Sequence, residues 1–144
     1  LERRYKRFEK IISVFAGKAL KILKKDKISV EIYLADNKRM RILNKKFRGK
    51  DKTTTVLSFE EPRNFILPPS KIKKIGEIYL NMDIMQKMRM NANAANKFSQ
   101  YSHKFVVWHY YLVHGLLHLL GYNHYKKNDK IKMERKEQYI LARL

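Results

Sequence analysis

The sequence predicts an α+β fold, a small β-sheet covered by helices, in a single domain spanning residues 1–144. Three observations lead there. A chain of 144 residues with 44% apolar content is long enough to close one hydrophobic core without staples and too short for two full domains. Three short β-branched segments lie among longer stretches whose apolar residues recur at helical spacing. No internal repeat and no linker composition interrupts the order helix, strand, helix, strand, strand, helix, helix, helix.

Each element has a local reason. Tyr5, Phe8, Ile12, Phe15, Ala19, Ile22 and Leu23 stand three or four apart against a Lys and Arg face, which predicts a helix over 3–25. Residues 28–34 (ISVEIYL) alternate, with Ile28, Val30, Ile32 and Leu34 on one side of a strand. Asp36 then caps a helix to about Lys46, with Met40, Leu43 and Phe47 as its buried stripe. Residues 53–59 read as a short strand. The stretch 60–74 holds all three prolines (Pro62, Pro68, Pro69) without any period and reads as a long loop that either flanks a site or is mobile. GEIYL at 76–80 is a further strand, after which Asp83 begins a Met- and Asn-rich helix to about Phe98. A second long helix runs over 102–120 and stops at Gly121, where a left-handed residue is expected. After a turn through 122–125, Asn128 or Asp129 caps a last helix to Leu144, with Ile131, Ile140 and Leu141 among its apolar positions.

Composition narrows the function. Lys and Arg number 33 against 13 Asp and Glu, and the formal charge of +20 is spread over almost every segment. That excess favours a polyanionic partner, while the apolar and 12% aromatic content is too core-rich for a disordered basic protein. The absence of Cys excludes a disulfide framework, a thiolate nucleophile, an iron–sulfur cluster and a Cys-ligated zinc. Any metal site must use His and carboxylates. Residues 105–122, dense in apolar side chains, contain three His and suit a buried helix better than a membrane span. No secretory signal is visible, and Leu1 in place of Met leaves room for a trimmed tag or targeting peptide upstream. The expected compartment is the cytoplasm, or an organelle if a targeting peptide was removed.

The chemistry concentrates in HGLLHLLGYNH. His114 and His118 stand four apart, which brings their Cβ atoms to roughly 5–6 Å on one helical face. Past the Gly121 turn the chain reverses, so His124 approaches the same point from the side. Three neutral imidazoles around Zn2+ leave a fourth position for water, whose pKa such a zinc lowers to about 7. Packed or surface histidines are the competing reading of an i, i+4 pair, and the third His after a helix-stopping Gly is what separates the two. His103 lies on the same face but three turns away, roughly 16 Å along the axis, and His109 is turned aside. Both are assigned to structure or nucleic-acid contact. Gly115 stands where the peptidase motif His-Glu-x-x-His has its general base, which argues against a peptidase and is expected to leave space beside the metal for a bulky substrate.

This segment resembles the signature of the YbeY family of endoribonucleases, also called rRNA maturation factors, roughly HGxLHLxGYDH. Asn44 to Arg48 (NKKFR) followed by TTTVLSF is similar to the family's Asn-x-x-Phe/Tyr-Arg and Thr-Asp-Val-Leu-Ser-Phe, Gly76-Glu77-Ile78 resembles its Gly-Asp/Glu-Ile strand, and Met133-Glu134 with Glu137 echoes its closing helix. The resemblance covers about residues 28–144, with the first helix matching in kind. It implies a mixed sheet flanked by helices in a zincin-like metal-hydrolase architecture. It also implies zinc ligation, one ion per chain, by His114, His118 and His124, and a role for Arg48 in holding the scissile phosphate. A guanidinium can do so through two parallel hydrogen bonds while offsetting charge in the transition state. Ser58 and Thr53 to Thr55 are candidates to line the same cleft, against the ordinary reading of strand hydroxyls that only fit the pleat. The sequence departs from the pattern at Thr55 and Asn123, each in place of Asp, and at Glu60 in place of Pro; an Asn before the third His brings no charge to support a ligand.

The function implied is a zinc-dependent, single-strand-specific endoribonuclease acting in rRNA maturation and ribosome quality control. Its partners would be single-stranded rRNA or its precursor and the ribosome or its small subunit, with no membrane and no DNA specificity, and Tyr101 or Tyr125 would stack bases. The alternative is a ribosome-assembly factor of weak or absent activity with a structural zinc; a third reading is a metal hydrolase of another substrate. Three imidazoles also suit nickel, copper or iron.

Overall fold

Alternation of apolar residues at Ile78 and Leu80, both with no exposed surface, makes the third strand the centre of the sheet. The computed structural model describes residues 5–62, 69–90 and 107–144. In chain order its elements are α1 (Lys6–Ile22), β1 (Ile28–Ala35), α2 (Asn37–Arg48), β2 (Val56–Glu60), β3 (Lys73–Asn81), α3 (Met82–Met90), α4 (Val107–Leu119) and α5 (Lys127–Leu141). The strands lie in the order β1-β3-β2, with β1 parallel and β2 antiparallel to β3. The sheet is therefore small and mixed, and the α+β expectation holds.

Registers Ile32 with Ile78 and Leu34 with Leu80 put the apolar positions of β1 and β3 on one face. Across that face runs α4, nine of whose 13 residues are buried. A helix apolar almost all round is a central helix, and Leu112, Val113, Leu116 and Leu117 join Ile12, Phe15 and Ala19 of α1 and Met133 and Ile140 of α5 in one core. The opposite sheet face is covered only in part, by Met40 and Leu43 of α2 over Leu57 and Ala35.

Asp36 caps α2 as expected, its carboxylate accepting the Arg39 N–H at 2.7 Å. The cap of α3 is Asn81 rather than a helix start at Asp83: its Oδ1 accepts the Ile84 N–H at 3.1 Å. Its Nδ2 donates to Asn37 Oδ1 at 2.9 Å, Thr53 Oγ1 at 2.9 Å and the Thr54 carbonyl at 3.0 Å. Those bonds hold residues 53–54 outside the ladder, which is why β2 begins at Val56 and not at 53. β3 reaches back to Lys73, inside the expected loop, because Lys73 pairs with Ile28. Lys126 caps α5 without a side-chain bond, and Asp129 instead lies in the first turn, where its charge suits the helix dipole. Of the α2 stripe, Met40 and Leu43 are buried but Phe47 is 56% exposed. Asn44 is buried in its place, its Nδ2 donating to the Lys52 carbonyl at 2.7 Å. The far part of the helix expected to Phe98, the start of the helix expected from 102, His103 and Tyr101 lie outside the described residues.

Candidate metal centre

Residues 114 and 118 interrupt the apolar surface of α4, and both side chains are only partly buried, on the flank of the helix that the core leaves open. The helix ends in a Schellman motif: the Gly121 N–H bonds the His118 carbonyl and the Tyr122 N–H the Leu117 carbonyl, both at 3.0 Å, with Gly121 at φ +89°. The reversal brings the Tyr122 carbonyl back over His118 and delivers His124 beside both rings, its centroid 5.5 Å from that of His114 and 5.0 Å from that of His118. One ligand atom from each of the three histidines lies within 4.8 Å of the others, so together they can hold a metal ion.

The hydrogen bonds behind the rings set what the front can bind. His114 Nδ1 lies 2.7 Å from a carboxylate oxygen of the buried Glu137, and His118 Nδ1 lies 3.0 Å from the Tyr122 carbonyl. Opposite such acceptors each Nδ1 is assigned the hydrogen. The two Nε2 atoms, 3.1 Å apart, then face one another with lone pairs. Two acceptors at that distance suit a cation bound between them, since two imidazole nitrogens on a tetrahedral zinc lie about 3.3 Å apart. Burial above all, then the neighbouring His114 and His124, hold His118 down to about 4, which keeps it neutral and available as a ligand near pH 7.

The triad opens into a cleft of about 690 Å3 that also takes in Arg48, Lys50, Thr54, Thr55, Ser58, Glu60, Tyr111 and Tyr125. Arg48, from the last turn of α2, is exposed, and its charge adds to the depression of His118. Thr55 bonds the Tyr111 phenol, which burial raises above its ordinary value while that bond pulls the other way. Glu60 is the one carboxylate among the described residues of the lining.

Several expectations change. Thr53 is engaged with Asn37 and Asn81 rather than the cleft. Gly115 does not open space beside the three histidines: a Cβ there would sit 2.9 Å from Ser58 Oγ and 3.2 Å from methyls of Val56 and Ile78. It lets α4 lie close on the sheet, and Ser58 Oγ donates to its carbonyl at 3.1 Å. Asn123 Oδ1 accepts the Tyr125 N–H at 3.3 Å, a turn contact that a neutral amide makes as well as a carboxylate. His109 packs, its ring 3.7 Å from Trp108 and 4.0 Å from Phe15 between centroids. Glu137 was legible only as part of the resemblance. A carboxylate four residues after Met133 and three before Ile140, on the apolar stripe of α5, is the signal that marks it. The Tyr122 carbonyl leaves no trace in side-chain identity.

The profile of the family described as Endoribonuclease YbeY matches residues 2–144, and so includes the first helix. Among curated proteins, the Endoribonuclease YbeY of Pelagibacter ubique is 37% identical over 138 residues, 96% of this chain and 83% of the relative. That of Buchnera aphidicola subsp. Cinara cedri is 33% identical over 123 residues, 85% and 74% of the two chains. That of Aquifex aeolicus is 31% identical over 145 residues, 100% and 88%.

Proposed function

Since the chain belongs to the YbeY endoribonuclease family and is an RNA-cleaving hydrolase, we propose that it is a zinc-dependent endoribonuclease specific for single strands, a single catalytic domain acting in rRNA maturation and ribosome quality control. Its substrate is single-stranded rRNA or its precursor, met in the cytoplasm on or near the small ribosomal subunit. The observation that carries the metal reading is the pair of Nε2 lone pairs 3.1 Å apart, each ring fixed from behind by an acceptor. When bound by His114, His118 and His124, zinc supplies Lewis-acid polarisation of a phosphoryl oxygen and lowers the pKa of a coordinated water to about 7. Among the described residues no helix is long and apolar enough to cross a membrane.

The chain's own residues do the rest. Arg48 presents a planar guanidinium that takes two oxygens of one phosphate and offsets charge that grows as the bond breaks. Glu137 and the Tyr122 carbonyl hold the Nδ1 hydrogens, so that neither ring turns its wrong nitrogen forward. Tyr125, 88% exposed beside His124, offers a face to an unpaired base.

Metal content by mass spectrometry, on untagged protein purified without chelator, is paired with cleavage of a single-stranded rRNA fragment. About one zinc per chain, lost in His118→Ala together with cleavage, and cleavage reduced about a hundredfold or more in Arg48→Ala with zinc retained, is the expected result. Cleavage by metal-free wild type that His118→Ala shares overturns the metal role; zinc whose removal unfolds a chain that never cleaves RNA favours the assembly factor.

A further inference from the structure

Alternate residues of a strand share a face, and Val56, Ser58 and Glu60 of β2 all line the cleft that holds the three histidines. Ser58 stands level with Gly115 of α4, to whose carbonyl it donates at 3.1 Å. Two residues on, Glu60 stands level with the end of that helix. Its ladder partner is Gly76, where a Cβ would sit 3.1 Å from Glu60 Cα and 2.8 Å from a Leu119 methyl. Leu119 follows His118 in the chain. β2 therefore sets a carboxylate beside the turn of α4 that carries His118.

That carboxylate is exposed and, among the described residues, makes no hydrogen bond or ion pair, although Arg48 and Lys50 line the same cleft. Glu61, its neighbour in the chain, is engaged elsewhere, by Lys74 at 3.3 Å. Glu60 is also outside the group of three ligand atoms that lie within 4.8 Å of one another, so it is not spent on holding an ion. Cleavage needs a group that takes the proton of the attacking hydroxyl. Arg48 and Lys50 are cations with no lone pair to offer, Ser58 is donating to Gly115, and burial makes the Tyr111 phenol hold its own proton more firmly. Gly115 leaves α4 without the base of the peptidase motif. Two departures from the family pattern are complementary here: Thr55 in place of Asp removes a carboxylate just before β2, and Glu60 in place of Pro brings one in at its end.

We propose that Glu60 is the general base of the cleavage reaction. The inference rests on the cleft being the RNA site, as read above. The attacking hydroxyl gives its proton to a Glu60 oxygen as its own oxygen bonds phosphorus. The P–O bond to the departing ribose breaks, that ribose oxygen takes a proton from water, and Glu60 returns its proton to solvent.

Zinc content, affinity for a single-stranded rRNA fragment and the cleavage rate at saturating enzyme are measured on the full chain as wild type, Glu60→Gln and Glu60→Ala. In Glu60→Gln the rate should fall about a hundredfold or more. Zinc should stay at the wild-type level, and RNA should bind as tightly or more tightly, since a negative charge has left the cleft. Formate added to Glu60→Ala should raise its rate in proportion to concentration, as a small carboxylate standing in for the lost one, while chloride at equal ionic strength should not. A Glu60→Gln chain that cleaves at the wild-type rate overturns the base, as does a loss accounted for by released zinc or weakened RNA binding. Formate and chloride acting alike on Glu60→Ala overturns it too, and all three outcomes leave the ribonuclease reading intact. Failure of wild type to cleave the fragment overturns both.

Discussion

His114 on α4 is held through Nδ1 by Glu137 on α5, 2.7 Å away and 23 residues further along the chain. The carboxylate is buried, so its contact with the imidazole is made away from water, where a charge-assisted hydrogen bond is strong. Packing of α5 on α4 therefore reaches directly into the cluster of three histidines. Closing the core and orienting His114 are one event.

Glu137→Gln keeps an acceptor of similar shape but removes the charge that raises the basicity of His114. Zinc affinity should fall about ten- to a hundredfold, read by competition with a chromophoric chelator. An unchanged affinity would sink the role assigned to this pair.

Gly115→Ala introduces a Cβ 2.9 Å from Ser58 Oγ and 3.2 Å from two methyl groups. Overpacking of about 1–3 kcal/mol is offset by the roughly 1 kcal/mol that Ala gains over Gly in a helix. A drop in Tm of about 3 °C is expected, with Gly115→Val several times worse and zinc stoichiometry of the folded Ala variant unaltered. Metal loss in a fully folded Gly115→Ala protein would restore this residue to the site.

Asn81 has no exposed surface and links α3, the chain before β2 and the start of α2. Asn81→Ala removes a cap worth about 1 kcal/mol and leaves the part-buried Thr54 carbonyl short of a donor, about 1–3 kcal/mol more. Denaturant unfolding should show a loss of about 2–4 kcal/mol. Asn81→Asp retains the cap but turns an acceptor toward Asn37 Oδ1 and the Thr54 carbonyl, so at neutral pH it should lose at least as much as Asn81→Ala; a loss clearly smaller than that of Asn81→Ala would mean that the Nδ2 bonds contribute little.

The charge of +20 predicts a steep salt dependence of RNA binding. Log affinity against log salt should fall with a slope of about −0.7 per phosphate contacted, hence about −2 for a strand held at three. Filter-binding titrations across salt concentrations measure it, and a flat response would rule out the basic surface as the RNA contact.

Most elements were legible because their causes are local: the Asp36 cap, the alternation in β1, the left-handed Gly121 and the i, i+4 pair each depend on residues within one or two turns. Element ends were less so. β2 begins late because Asn81, far along the chain, holds residues 53–54, and β3 begins early because Ile28 offers Lys73 a ladder partner. Phe47 shows the same limit from the other side. Helical phase alone puts it with Leu43, but only the width of the sheet beneath the helix decides whether a ring at that phase finds cover.

That His114, His118 and His124 converge was legible from spacing, and that Arg48 shares their cleft from the resemblance of its motif, since helical pitch and motif are properties of the chain itself. Tertiary structure alone decided which acceptor stands behind His114 and His118, and that Gly115 lets α4 lie close on the sheet. Those outcomes depend on hydrogen-bond partners and packing distances between segments far apart in sequence, where a carbonyl such as that of Tyr122 acts through its position and carries no side-chain mark.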